Sequence, residues 1–215
     1  MIRRPVTVRM ARIYTSTVIP PTGPPIGPYE RRPAAIRPWD PRVLEVAARV
    51  AALVVERRPD LRIEHIGSTA VPGLPGKGIL DLGTEADPAD IPAITTAMYE
   101  LGFGPQPGPD PWPPTRPMHV GSYRFDGEDF LVHLHVHPRG GDLAKDVRFR
   151  DALRADPALA AGYAEEKRRI AAAAGGQPDR VLYQEAKGRW IVAVYDRLGI
   201  PRPIAPGQPA EEQPS

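Results

Sequence analysis

The chain has no cysteine. That excludes disulfides, zinc-thiolate centres and cysteine nucleophiles. Any metal would have to be held by His, Asp, Glu or water, a donor set that suits magnesium, manganese, zinc or nickel. No apolar run is long enough to span a bilayer, so no membrane partner is expected. Arg3-Arg4 begins a basic N-terminus, but no apolar stretch of signal-peptide length follows before Pro20-Pro21, and a soluble cytoplasmic protein is the expectation. Charge of one sign is lacking too. With 28 basic and 26 acidic residues the net charge is +2, which gives no global pull toward nucleic acid or membrane. The interleaved basic and aromatic density of a nucleic-acid surface is also missing.

What is present fits one domain with a substantial core in 215 residues. Residues 1–35 read as a disordered or extended tail, since their prolines stop helix and their apolar residues lack a period. The globular part is expected over 36–199, and 200–215 as a second disordered tail. Asp40-Pro41 is a helix opening. Val43, Leu44, Ala47, Val50, Ala51 and Val54 follow at helical spacing. Leu61–Ile66 and Gly78–Thr84 read as strands, and Asp87 or Asp90 opens a helix that Gly102 stops. Gly104–Pro117 reads as a long irregular loop. Met118–Phe125 and Asp129–His137 read as strands joined through Asp126-Gly127, a hairpin signal. Three helices follow, opened by Asp142, by Asp156-Pro157 and near Asp179, with Gly175-Gly176 ending the second. Strands followed by a helical run argue α+β, with helices on one face of a small sheet.

The stretch Ile63–Gly83 carries the chemistry. Gly67-Ser68-Thr69 can turn backbone N–H groups and two hydroxyls toward a phosphate, or be an ordinary turn. Lys77 lies on the same loop. Asp81 ends an apolar run, where burial of a carboxylate needs a partner or a metal; a strand-end acid facing water is the other reading. His133, His135 and His137 share one strand face by their period of two, suited to binding a metal or to acid/base work, against a plain solvent face. His65 and His119 fit either that site or the core. Lys167 and Lys187 lie on apolar helix stripes, reaching into a cleft or out to solvent. Arg150 in the RFRDALR run is similar.

Glu64–Leu74 (EHIGSTAVPGL), then Lys77 and Ile79-Leu80-Asp81, resemble the signature of the GrpB family. Other signals recur in order: Trp39-Asp40-Pro41, Leu101-Gly102-Phe103, His133-Leu134-His135-Val136, Phe149-Arg150-Asp151, Tyr163, Lys167, Ala186-Lys187 and Trp190-Ile191. The resemblance covers roughly 36–199. It implies an α+β, nucleotidyltransferase-like mixed sheet flanked by helices, with a C-terminal helical segment. In that superfamily a Gly-Ser turn precedes a strand with two alternating acids, and a later strand adds a third. Gly67-Ser68 and Asp81 match the turn and the first acid. Gly83 stands at the second, and the strand of His133 and His135 brings no third.

The leading expectation is therefore a nucleotidyltransferase-like transferase, or a relic of one, binding a nucleotide or phosphorylated small molecule. Asp81, His133 and His135 would be catalytic and hold a divalent metal, magnesium or manganese. Gly67, Ser68, Thr69, Lys77, Arg150, Lys167 and Lys187 would hold phosphate. A non-catalytic binding or accessory domain is the alternative. A histidine-triad nucleotide hydrolase is a third, although Pro138-Arg139 stand where that triad continues into apolar residues.

Overall fold

The computed structural model describes residues 23–32, 35–108, 111–173 and 180–201. Most of the two expected tails, 1–22, 33–34 and 202–215, lies outside the described residues, as does Gly175-Gly176.

Asp40 accepts the backbone N–H of Arg42 at 2.9 Å and its guanidinium, and so starts α1 (Arg42–Arg57). Val43, Val46, Ala47, Val50 and Val54 form its buried stripe. Burying such a side chain contributes about 1.5–3 kcal/mol. Strand β1 (Glu64–Ile66) is followed by a one-turn 3-10 helix at Ser68–Ala70 and then β2 (Leu80–Ala86). Helix α2 (Ile91–Glu100) ends at Gly102, whose φ of 99° lies in the left-handed region. The segment expected as loop contains a two-residue strand, β3 (Gly104–Pro105), made by pairing with β4 (Met118–Phe125). Proline cannot donate to a ladder, so an edge position is the one it tolerates, and a pairing so short leaves no periodic signal. Strand β5 (Glu128–Pro138) returns through Asp126-Gly127, both at positive φ, as a two-residue hairpin turn requires. Helices α3 (Leu143–Ala155), α4 (Pro157–Ala173) and α5 (Arg180–Leu198) complete the order. Asp156 caps α4 through the N–H groups of Ala158 and Leu159, at 2.9 and 3.0 Å. Asp142, expected to cap α3, makes no such bond; its carboxylate pairs instead with Lys145 at 2.9 Å and Arg116 at 3.0 Å.

The strand order is β1-β2-β5-β4-β3. Among the described residues only β2 and β5 run parallel, and the other neighbours are antiparallel. Leu80, Leu82, Val132, Leu134 and Val136 join α1 and α2 in one core. Helix α3 covers the other face, where Leu143 packs on Gly83. Phe149 and Leu153 of α3 form a second core with Leu159 and Tyr163 of α4, Val194 and Tyr195 of α5, and Val71 and Leu74 from the loop after the 3-10 turn. Helices therefore flank both faces. The expectation of one covered face fails because the two central strands are apolar on one side and present Gly83, which has no side chain to interrupt the packing of α3, on the other.

Packed structure also begins upstream of Ile36. Residues 23–32 form no helix, and Gly27 exchanges backbone hydrogen bonds with Ser122 at 2.8 and 3.0 Å. Ile26 is 1% exposed within the α1/α2 core. Two glycines make its seat. A Cβ on Gly102 would collide with the Ile26 carbonyl, and one on Gly121 with its side chain.

Candidate functional site

The parallel register sets Asp81 beside His133 and Gly83 beside His135. All four lie on the face toward α3. His133 Nδ1 is 3.3 Å from Asp81 Oδ1, and His135 Nε2 is 3.5 Å from the same oxygen. One potential ligand atom from each of these three residues lies within 4.8 Å of the others. The side chains are 27%, 16% and 23% exposed, so the cluster is lined by protein yet open to a ligand. Burial works to raise the Asp81 pKa, but the hydrogen bonds and charges of the two imidazoles outweigh it and hold the carboxylate well below its usual range. The sequence places these residues about fifty positions apart. The β2–β5 pairing is what joins them.

Gly67 lies directly against the carboxylate. Its φ of 71° favours glycine, and an added Cβ would collide with Asp81 Oδ2. Ser68 follows, half-buried. Gly76, on the returning loop, is flanked by Ser68 and Lys167: a Cβ there would lie 2.6 Å from Ser68 Oγ and 3.6 Å from Lys167 Nζ. Lys167 is 3% exposed, donates to the Pro75 carbonyl, and sits 4.5 Å from the centre of the Tyr163 ring. Burial, then the charges of Lys187 and Arg168, push its pKa down to about 7. Lys187 hydrogen-bonds Tyr163, whose hydroxyl also feels the charge of Asp81, and Tyr163 stacks on Trp190 at 4.9 Å. Ser68 thus follows the glycine that touches Asp81, while Lys167 and Lys187 meet at Tyr163.

Two other residues expected to hold phosphate have their donors committed inside the fold. Thr69 is 4% exposed; its hydroxyl donates to the Ile79 carbonyl at 3.3 Å and meets His65 Nε2 at 3.0 Å. Arg150 ties α3 to β1 through Glu64 (3.0 Å) and the His65 carbonyl (2.9 Å), and also pairs with Asp151. Lys77 is half-buried. His65 takes the structural alternative, its pKa lowered to about 4 by burial. His119 is on the opposite face, 1% exposed, with its ring edge-on to Tyr99. His137 does share the face of His133 and His135, but at 1% exposure it is covered, and it offers no open imidazole.

Three residues stand out only in the structure. Asp146, in the first turn of α3, lies 3.9 Å from His137 Nε2 and near enough to His135 and Asp81 to feel their charges. Burial raises its pKa to about 6. Asp142-x3-Asp146 is the helical spacing that could have pointed to it. Tyr29 donates to or accepts from His133 Nε2 at 3.1 Å, and no local pattern signals that contact across 104 residues. Leu143, expected only as part of a helix, seals Gly83: a Cβ there would lie 2.5 Å from Leu143 Cδ1 and 3.1 Å from Ile66 Cδ1. The second acid position is therefore filled from above by a neighbour.

Lys167 makes stability depend on pH. Its folded pKa lies below the ordinary lysine value of 10.5, so between about 7 and 10.5 the unfolded chain binds more protons than the folded one. Stability from this group must then rise with pH through that window. Urea midpoints at pH 7, 8 and 9 should climb for the wild type and climb less for Lys167→Met. Parallel slopes in the two proteins would count against a buried, proton-poor lysine.

Residues 33–197 match the family model for the GrpB protein. A UPF0157 protein of Streptomyces coelicolor is 36% identical over 153 residues, 66% of this chain and 72% of that protein. A UPF0157 protein of Halalkalibacterium halodurans is 33% identical over 137 residues, 62% of this chain and 67% of that one. Among solved structures, the conserved protein GrpB from Enterococcus faecalis superposes with a TM-score of 0.54 at 18% identity, covering 75% of this chain and 99% of that one. The fold is α+β, a mixed sheet flanked by helices with a helical C-terminal segment. With its family model matched over most of its length, the chain belongs to the GrpB family.

Proposed function

We propose that this protein binds a nucleotide or phosphorylated small molecule at a divalent metal held by Asp81, His133 and His135, and that it transfers an NMP unit. The observation that carries the reading is the convergence of one carboxylate and two imidazoles within 4.8 Å, against Gly67, with Ser68 of the same loop and Lys167 of α4 flanking Gly76. The donor set fits a metal. Two imidazoles with one carboxylate suit manganese or zinc better than magnesium, which prefers oxygen ligands. When bound, the metal would act as a Lewis acid on phosphoryl oxygens.

The chain's own residues supply the rest. Ser68 Oγ and the Ser68 and Thr69 backbone N–H groups donate to phosphate oxygens. Lys167 and Lys187 add positive charge, and an arriving phosphate favours protonation of Lys167 by the same electrostatics that its burial now opposes. Asp146, with its pKa near 6, can accept a proton at neutral pH from an attacking hydroxyl. Supporting residues hold the frame: Arg150 fixes β1, and Gly67 leaves room for the Asp81 carboxylate.

One observation favours a second reading, a binding domain without turnover. The place of the second acid is occupied by Leu143 over Gly83, so the usual pair of strand acids cannot form. Thermal-shift measurement with nucleoside triphosphates and sugar phosphates, with and without Mn²⁺, Zn²⁺ or Mg²⁺, tests binding. Chromatography for pyrophosphate release tests transfer. Stabilisation by a phosphorylated ligand that needs metal supports the site; release of pyrophosphate then selects the enzyme, and its absence the binding domain. No response to any ligand or metal removes both.

A further inference from the structure

The N-terminal segment before α1 does more than pack. It crosses the edge of the sheet, with Ile26 in the α1/α2 core and Tyr29 on the opposite face, against His133. Its path is built in. Ile26 N–H donates to the Leu101 carbonyl at 3.0 Å, and Gly27 pairs with Ser122. Gly102 and Gly121 lack the Cβ atoms that would collide with Ile26. These contacts come from the α2–β3 turn and from β4, and they hold the segment two and three residues before Tyr29. The phenol is thus delivered by a seat that the rest of the fold prepares.

At its end, Tyr29 Oη lies 3.1 Å from His133 Nε2, and the two rings are 5.4 Å apart at 41°. The other ring nitrogen, Nδ1, faces Asp81 at 3.3 Å. A histidine that ligates a metal through one nitrogen needs a partner on the other to set its tautomer and orientation. That partner is commonly a carboxylate, a carbonyl or water. A tyrosine hydroxyl has a property the first two lack, because it both donates and accepts. With no metal, Nδ1–H donates to Asp81 and Nε2 accepts from the phenol. With Nδ1 on a metal, the proton moves to Nε2, which donates to the same oxygen. One contact serves both states without moving the ring.

We propose that Tyr29 is a positioning residue of the metal centre: its hydroxyl holds the His133 ring so that Nδ1 stays aimed at the site shared with Asp81 and His135. This rests on the metal reading above. It assigns a role to a segment outside the sheet and helices, supplied by sequence that carries no motif.

Tyr29→Phe is the test, because phenylalanine keeps the ring contact and removes only the oxygen. Titration calorimetry with Mn²⁺ and Zn²⁺ alone should show affinity weakened by about 10–100-fold, the cost typical of losing an outer partner of a metal-bound histidine. The melting temperature of the metal-free variant should stay close to wild type, which a merely structural role would not predict. A second readout needs no metal. In ¹⁵N NMR of the metal-free protein the His133 Nε2 resonance should shift in Tyr29→Phe, while His119, on the far face, should not. Wild-type binding with unchanged affinity in the variant overturns the proposal. An unmoved Nε2 resonance does so as well, whether or not metal binds. Failure of the wild type to bind any metal while Nε2 still shifts removes the metal centre, and with it this role, and leaves only the contact.

Discussion

Asp81→Asn should abolish the metal-dependent part of this protein's stability. The substitution keeps shape and some hydrogen bonding but removes the charge on which His133 and His135 converge. A metal at 100 times its Kd stabilises a folded protein by about 2.7 kcal/mol. In a domain of this size that is a rise of roughly 5–11 °C in melting temperature. Loss of an outer partner alone costs about 10–100-fold in affinity, and loss of the only carboxylate in the cluster must exceed that. The rise should therefore shrink to about 1–2 °C or vanish at the same metal concentration. The metal-free variant tests a separate quantity. The Asp81 pKa is depressed in the fold, so its charge stabilises the native state above the unfolded carboxylate pKa and ceases to as pH falls through the folded value. At neutral pH the variant should lose about 1.5–3 kcal/mol, the range for hydrogen bonds to a charged group. Loss of stability with the metal response intact would leave Asp81 as a structural partner of two histidines and nothing more.

The difference between what the sequence shows and what it hides follows the range of each interaction. Helix α1 could be read from the Asp40-Pro41 opening and a stripe of valines, because both signals are local. The hairpin could be read at Asp126-Gly127, since two consecutive residues at positive φ restrict the choice of amino acids. The grouping of Asp81 with His133 and His135 came from residue type and strand period, and it needed only that β2 and β5 be neighbours. What could not be read depends on contacts with no period. Thr69 lies beside Ser68 and has the same chemistry, yet one hydroxyl is beside Lys167 and the other turns into the fold toward Ile79. Arg150 looked like a phosphate ligand until Glu64 and the His65 carbonyl were seen to occupy it. The packing of residues 23–32 was hidden because prolines and glycines suggest a tail, and what seats Ile26 lies at Gly102 and Gly121, far along the chain.

Gly83→Asp, the substitution that would restore the second strand acid, should cripple folding and not improve catalysis. A Cβ at Gly83 lies 2.5 Å from Leu143 Cδ1 and 3.1 Å from Ile66 Cδ1, so even alanine overpacks the junction of β1, β2 and α3. Overpacking costs about 1–3 kcal/mol. A carboxylate placed under α3 adds several kcal/mol more unless it finds a partner. The sum is a large fraction of the roughly 5–15 kcal/mol that holds an ordinary domain together. Gly83→Ala should thus lower the urea midpoint measurably, and Gly83→Asp should yield little folded protein by circular dichroism. Leu143→Ala in the same chain separates clash from charge. It opens the space, so Gly83→Asp/Leu143→Ala should be more stable than the two single effects add to, with a coupling of about 0.5–3 kcal/mol. If that double variant folds, its two strand carboxylates alternate on one face as Asp81 and residue 83, and magnesium should bind it more tightly than it binds the wild type, since oxygen ligands are what magnesium prefers. Wild-type stability in Gly83→Asp alone would mean that Leu143 does not seal the strand. The lack of a second acid would then be a substitution the fold tolerates either way, and the case for a centre built on one carboxylate and two histidines would rest on Asp81, His133 and His135 alone.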